Sequence, residues 1–191
     1  MYEIPTSVTV KDRVFPITNK GDYRMVLDCF SALQDEELEQ NYRIAASLEI
    51  FYTDINSEQD LLFYKDYTDD LTREMFKFIN CGQNESPGAE RDVSLINWED
   101  DSQMICAAVN NVAKCEIRSI EYMHWWTFLG YYMSVGQSVL STVVGIRDKI
   151  KHGKKLEKWE KDFKKDNPGY FTKKLSEEEE SMEDYIRNLW K

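Results

Sequence analysis

Cysteine and histidine are the residue types in this chain that could hold a metal, and their spacing does not suit one. The four cysteines and two histidines are Cys29, Cys81, Cys106, Cys115, His124 and His152. A structural zinc site takes about four such ligands, usually in closely spaced pairs such as C-x-x-C. The sequence therefore predicts no metal and no cofactor. It also predicts that Cys29 and Cys106 are small buried hydrophobes on or beside apolar helix faces.

The motifs of nucleophilic and phosphate chemistry are also missing. There is no G-x-S-x-G elbow, no G-x-G-x-x-G and no H-E-x-x-H. The stretch 145–154 contains glycines and lysines without the spacing of a phosphate-binding loop. Carboxylates are plentiful but lie on polar helix faces, where they normally solvate a surface. No pattern in the sequence indicates a pair of catalytic acids. We therefore expect no catalytic residues and a protein that is not an enzyme. An uncharacterised enzyme is the least favoured of the three functions that we consider.

Charge is distributed unevenly along the chain. The net charge is -11, yet residues 147–174 carry eleven Lys or Arg against five Asp or Glu, which is +6 and leaves -17 elsewhere. So acidic a chain should bind neither nucleic acid nor an anionic membrane. No apolar run approaches the roughly 20 residues of a membrane span, and no signal peptide precedes the first strand, so we expect a cytoplasmic protein. The basic segment reads first as a solvated helix face. Its alternative is a docking surface for an acidic partner or for the acidic run 177–180.

Hydrophobic periodicity predicts a mainly α fold: a single helical domain of about seven or eight helices with a small N-terminal β-hairpin. The hairpin is expected in residues 4–18, around a three-residue turn at 11–13. Pro16 would confine its strand to an edge. We expect a core domain at 1–150 and a charged helical extension at 151–191, which could also be part of the same domain.

Capping residues mark the first helices. Asp22 is the expected N-cap of the first helix, and a second helix is expected at 36–52. Ser57 should cap a third helix that continues to Cys81 and ends at a left-handed Gly82. The stretch 82–95 reads as a loop. A fourth helix is then predicted from the apolar positions Trp98, Ile105, Val109 and Val112.

The most aromatic stretch of the chain is 121–151. It predicts a central helix with a broad apolar arc, a break near Gly136, and a second short helix that ends in a turn at 145–147. Most of these side chains should be core, and His124 should be a hydrogen-bonded residue at the core edge. Because tryptophan is enriched at interfaces, one of Trp125 and Trp126 is expected to face a partner.

The C-terminal region predicts two further helices. A basic helix at 154–165 carries Leu156, Trp159 and Phe163, and the sequence 167–169 (Asn-Pro-Gly) ends it. A last helix, capped by Ser176, is expected either to pack on its own domain or to bind a neighbour. If it binds a neighbour, deleting 176–191 should leave a folded monomer with weakened assembly or binding. If it is core, the truncated protein should fail to fold. The candidate partner-binding residues of the whole chain are Trp125, Trp126, Arg147, Trp159, Phe163, Tyr185 and Trp190.

Three segments together resemble a family of tailed-phage proteins named for gene product fifteen, found in phages and prophages of Gram-positive bacteria. They are Gln103–Ala108 (QMICAA), His124–Phe128 (HWWTF) and Val144–Arg147 (VGIR). The chain departs from the family where Thr127 stands in place of the usual lysine. It also departs in its longer and more polar loop at 82–95.

The resemblance implies a role in assembling long phage tails. Genes of this family lie between those for the tail tube and the tape measure, which is the position of tail assembly chaperones. The implied partners are the tape-measure protein and the tail tube protein, and self-association is left open. The implied location is the cytoplasm of the bacterial host. The alternative is a structural tail or connector protein that is retained in the virion.

Overall fold

The computed structural model describes residues 3–35, 37–82 and 95–171. These ranges contain one antiparallel hairpin and eight α-helices, which confirms the predicted fold class. The elements are β1 (Ser7–Val10), β2 (Arg13–Pro16), α1 (Tyr23–Gln34), α2 (Gln40–Phe51), α3 (Glu58–Phe63), α4 (Thr68–Ile79), α5 (Ser102–Ala113), α6 (Trp125–Met133), α7 (Val139–Lys151) and α8 (Lys158–Asp166). The predicted helix after Ser176 and most of the predicted loop, 83–94, lie outside the described residues.

The chain forms two compact units, Met1–Ser138 and Val139–Lys191. The first holds the hairpin and α1 to α6, and the second holds α7 and α8. The organisation into a core at 1–150 and an extension at 151–191 stays a prediction.

The hairpin turn is shorter than expected. Val10 pairs with Arg13, so only Lys11 and Asp12 form the turn, and the predicted three-residue turn is wrong. Both turn residues have positive φ, 48° and 65°. This is the geometry of a type I′ turn, whose twist matches that of the flanking strands. Pro16 lies on β2, which is an edge strand in this two-stranded sheet.

Asp22 is the N-cap of α1, as predicted. Its carboxylate accepts a hydrogen bond from the backbone amide of Arg24 at 3.0 Å and another from the amide of Met123 at 3.0 Å. The backbone of Tyr23 adds a third link, since its amide donates to the carbonyl of Met123 at 2.9 Å. One buried carboxylate thus starts α1 and ties it to the chain entering α6.

The single helix predicted from Ser57 to Cys81 is two helices. Ser57 does cap α3, because its hydroxyl accepts from the amide of Asp60 at 3.3 Å. However, α3 ends at Phe63 and a 3-10 turn leads into α4. The break turns Tyr64 toward the hairpin, where its ring packs edge-on against Phe15 with centroids 5.4 Å apart. Tertiary packing of one tyrosine therefore interrupts a helical pattern that is continuous in sequence.

Two left-handed residues end α4: Gly82, as predicted, and Cys81 before it. Cys81 has φ 54°, its amide donates to Phe78, and the amide of Gly82 donates to Lys77. These two bonds form a Schellman motif, in which the left-handed position is the first residue after the cap. Gly82 follows it with φ 78°.

The helix expected to include Trp98 begins only at Ser102. The side-chain oxygen of Asn97 accepts from the amides of Glu99 and Asp100, both at 3.0 Å. Asparagine side chains compete in this way with helical hydrogen bonds and favour a turn. Trp98 therefore lies in a turn, where its ring stacks on Phe30 with centroids 5.4 Å apart.

The turn predicted at 145–147 is wrong, because α7 runs through it to Lys151. A single glycine weakens a helix by only about 1 kcal/mol, which the flanking residues outweigh here. The helix ends instead at Lys151, and a turn follows in which Gly153 has φ 62° and the amide of Lys154 donates to the carbonyl of Lys149 at 2.7 Å. The predicted break near Gly136 does separate α6 from α7, and α8 ends before the 167–169 sequence as predicted.

Of the two cysteines expected to be buried, only Cys29 is. Cys29 contacts the backbone of Ser47 and thereby joins α1 to α2, and burial raises the pKa of its thiol to about 12. Cys106 is half-buried, while Cys115 is exposed. Among the described residues no group of histidine, cysteine and acidic side chains could hold a metal ion.

Gly21 lies where the backbone passes close to two rings. Its φ is +78°, and an added Cβ would lie 2.7 Å from Cζ of Phe78 and 3.0 Å from Nε2 of His124. We therefore expect Gly21→Ala to lower the free energy of unfolding by about 1–3 kcal/mol in urea denaturation. Gly153→Ala is the matched control, because Gly153 also has a positive φ but nothing within 4 Å. Equal losses in the two variants would contradict the close approach at Gly21.

Candidate partner-binding surface

The tryptophan pair closes the C-terminal end of α4. The indole N–H of Trp125 donates to the carbonyl of Ile79, and that of Trp126 donates to the carbonyl of Phe78, each at 2.8 Å. Carbonyls in the last turn of a helix lack the usual helical partner. The carbonyl of Phe78 also accepts from the amide of Cys81, and the indole of Trp125 supplies a donor to that of Ile79. Trp125 is only 1% exposed and Trp126 is half-buried. The contacts of both indoles are thus structural, and a partner at Trp126 stays a prediction.

His124 joins three parts of the first unit and is the hydrogen-bonded residue that the sequence predicted. Its Nδ1 accepts from the backbone amide of Trp126 at 3.1 Å, which makes it the N-cap of α6. Its Nε2 lies 3.0 Å from the carbonyl of Pro5. Because Nδ1 accepts, Nε2 carries the proton and donates to that carbonyl. This arrangement requires a neutral ring.

The pKa of His124 is lowered, first by burial, which outweighs the opposing effects of the Pro5 carbonyl and Asp22. The unfolded chain therefore takes up the proton first as the pH falls below about 6.5. The contribution of His124 to the free energy of unfolding should therefore be complete above about pH 6.5. It should be lost as the pH falls from about 6.5 through the lowered pKa of the folded protein. His124→Asn keeps a capping oxygen without the titration, so its unfolding midpoint should change less from about pH 7.5 to 5.5. If the unfolding midpoints of wild type and His124→Asn changed equally with pH, this account would be contradicted.

The other candidate residues divide between structural contacts and solvent. Nε and Nη2 of Arg147 donate to the carbonyl of Tyr170 at 3.0 and 2.7 Å, which holds α7 to the turn after α8. Phe163 packs edge-on against Phe171 at the same turn, with centroids 6.3 Å apart. Trp159 is 57% exposed. Tyr185 and Trp190 lie outside the described residues. The structure thus brings Arg147 and Phe163 together and leaves Trp159 open to solvent.

A groove that the sequence analysis did not predict lies between α2, α3 and α4. Its volume is about 410 Å³. Its lining residues are Asn41, Ile44, Ala45, Leu48, Leu61, Thr68, Asp69 and Thr72. The four from α2 recur at the spacing i, i+3, i+4 and i+7, which places them on one face of that helix. Leu48 is fully buried and closes the floor, while the threonines and Asp69 of α4 form a polar wall.

Large apolar side chains on the same two helices, α2 and α3, are exposed. Tyr42 follows Asn41 on α2 and is 63% exposed, whereas Leu62 and Phe63 follow Leu61 on α3 and are 64% and 74% exposed. Phe63 also packs edge-on against Tyr64, the residue that contacts Phe15 of the hairpin, with centroids 4.9 Å apart. Adjacent exposed apolar residues of this kind mark binding surfaces more often than isolated ones do. We call the groove and these three residues the α2–α4 groove.

The sequence does contain a signal for this groove. In one helix that continued from Ser57 to Cys81, Leu61 would share a face with Leu71 and Met75. Leu62 and Phe63 would lie off that face. Two consecutive large apolar residues off the core stripe of a helix are such a signal. Only the break after Phe63 shows that Leu61 belongs to the groove rather than to the core of α4.

The family of the chain follows from a comparison with family models. Residues 2–168 match the model described as bacteriophage Gp15 protein. The chain belongs to this bacteriophage family. No curated protein and no solved structure matches it. The match covers the α2–α4 groove, the tryptophan pair and α8, so these features lie in the part shared with the Gp15 family.

No α-helix within 3–35, 37–82 and 95–171 of this Gp15-family protein is long and apolar enough to cross a bilayer.

Proposed function

We propose that this Gp15-family protein is a tail assembly chaperone that binds the tape-measure protein and helps recruit tail tube subunits in the host cytoplasm. The observation that carries the proposal is the α2–α4 groove, in which Ile44, Ala45, Leu48 and Leu61 face a polar wall from α4. Tyr42, Leu62 and Phe63 add exposed apolar surface on the two helices, α2 and α3, that contribute these apolar residues. A binding protein of this kind acts through surfaces rather than through catalysis, so the proposal includes no enzymatic activity.

The groove suits the apolar stripe of a helix. Amphipathic helices bind in hydrophobic grooves through side chains at i, i+3, i+4 and i+7. A volume of about 410 Å³ lies in the range of small binding pockets and accepts a few side chains rather than a whole helix. The rest of the helix would then lie across Tyr42 on α2 and Leu62 and Phe63 on α3. A long helical tape-measure protein offers such stripes repeatedly along its length.

Binding of this kind also explains how a chaperone would act. An apolar stripe left in water is an aggregation hazard, and covering it keeps the tape-measure protein soluble. The tube subunits must later replace the chaperone, so each contact has to be reversible. A short groove provides a small interface, and small interfaces are typical of transient complexes.

The alternative role is that of a structural tail or connector protein. Such a protein would be retained in the virion, whereas a chaperone would not. Quantitative mass spectrometry of purified virions separates the two. We expect the tape-measure and tube proteins to be abundant and this protein to be at background level. Its presence at a stoichiometry comparable to a tail component would overturn the chaperone proposal in favour of a retained structural role.

A further inference from the structure

The second unit carries a row of lysines on one side of α8 that form no ion pair within the part of the chain that the structure describes. Lys158, Lys161 and Lys165 are all exposed, and their spacing of i, i+3 and i+7 places them within about 60° around the helix. We call these three residues the basic face. Trp159 is also exposed, about 100° around the helix from Lys158. Glu160 lies well around the helix from Lys158, and its buried carboxylate pairs with Nζ of Lys149 at 2.7 Å.

The contrast between the lysines of this unit is informative. Lys149 and Lys154 pair with Glu160 and Asp148. The lysines of the basic face form no ion pair with any residue in the described ranges. Like charges at helical spacing repel one another and weaken the helix by a few tenths of a kcal/mol per pair. An acidic partner would remove this repulsion.

The chain itself supplies a surface of the opposite charge. Residues 1–138 contain 24 acidic and 11 basic residues, a net charge of -13, whereas 139–171 contain 5 acidic and 9 basic residues, a net charge of +4. The acidic excess is strong in the connection from α1 to α2, where Asp35, Glu37 and Glu39 form no ion pair with other described residues. We call these three residues the acidic corner. Glu37 and Glu39 are exposed.

We infer that the basic face of one copy docks on the acidic corner of a second copy, so that the protein self-associates head to tail. Each copy carries both surfaces, and a contact between different surfaces builds either a closed ring or an open chain. The charges are exposed, and salt screens such charges beyond about 8 Å at physiological ionic strength. The association is therefore weak and depends on salt. It uses surfaces other than the α2–α4 groove and does not rest on tape-measure binding.

Charge reversal on each surface tests the inference, with sedimentation velocity of the full chain as the readout. Wild type should self-associate at about 0.05 M salt and dissociate at about 0.5 M. Lys158→Glu/Lys161→Glu and Glu37→Lys/Glu39→Lys should each weaken self-association about tenfold or more. An equimolar mixture of the two variants should recover it, because each reversed surface meets its complement. Lys20→Glu/Lys114→Glu is the control, since both lysines are exposed and lie outside α8.

Several results would overturn the inference. The first is that wild type is a monomer at every salt and protein concentration. The second is that the control loses as much self-association as the two charge-reversal variants. The third is that the mixture stays monomeric although both variants keep the wild-type circular dichroism spectrum. Should a reversal disturb folding, Lys158→Gln/Lys161→Gln takes its place and must still lower self-association. Duplex DNA is titrated in parallel. Binding of DNA by wild type that is lost in Lys158→Glu/Lys161→Glu, without any self-association, would assign the basic face to nucleic acid and refute the contact between copies.

Discussion

Trp125→Ala is expected to lower the free energy of unfolding by about 3–5 kcal/mol, the range for truncating a fully buried aromatic side chain. The ring is 1% exposed and packs against Phe128 and Trp98, with centroids 5.6 and 6.1 Å away. The substitution also removes the donor that satisfies the carbonyl of Ile79. For a chain of this size the melting temperature falls by about 2–4 °C per kcal/mol, so the loss should be evident in thermal and urea unfolding.

Two variants separate packing from hydrogen bonding at this position. Trp125→Phe keeps an aromatic ring but leaves the Ile79 carbonyl without its donor, which should cost about 1–3 kcal/mol. Trp159→Ala removes the same side chain at a site that is 57% exposed, and it should change stability by less than about 0.5 kcal/mol. If Trp125→Ala and Trp159→Ala shifted the midpoint equally, the assignment of α6 to the core would fail.

Leu62→Ala/Phe63→Ala should weaken binding of the tape-measure protein by about 30-fold or more, the effect of losing interface residues worth 2 kcal/mol. Both side chains are largely exposed, so their truncation removes little of the core. Affinity is measured by titration of the purified chain with a tape-measure fragment, and the fold is checked by circular dichroism.

The matched control is Met133→Ala/Trp159→Ala. These residues are 77% and 57% exposed, and neither lines the α2–α4 groove. The control should bind as wild type does. A control that weakened binding as much as the groove variant would show that general surface hydrophobicity, rather than the groove, holds the partner.

Features encoded by neighbouring residues could be predicted from the sequence. Asp22 and Ser57 cap their helices because a short side-chain oxygen reaches an amide two or three residues away, whatever the rest of the chain does. The break at 167–169 is similarly local, since proline cannot continue the helix. The hairpin and the helical class also followed from local pattern, whereas the sequence left open which of Trp125 and Trp126 is buried.

Features that depend on distant residues could not be predicted in the same way. The helical pattern at 57–81 is continuous in sequence, and contacts with the hairpin, such as those of Tyr64 and Tyr67 with Phe15, accompany its interruption. Gly145 resembles a helix end, yet nothing in its surroundings requires a turn there. The α2–α4 groove exists because α3 diverges from α4, so its lining combines positions that the sequence pattern assigns to different helices. The hydrogen bonds from the indoles of Trp125 and Trp126 likewise depend on where α4 ends, because their acceptors are carbonyls of its last turn.

A photo-crosslinking amino acid placed in the groove tests the central claim most directly. Thr72 lines the groove and is half-buried, whereas Lys114 is exposed and lies outside it. Each position is substituted in turn in a cell that also expresses the tape-measure protein, and crosslinked products are identified by mass spectrometry after irradiation. The account predicts a tape-measure adduct from position 72 and none from position 114. A tape-measure protein that copurifies with the chain but crosslinks at position 114 and not at position 72 would contradict it.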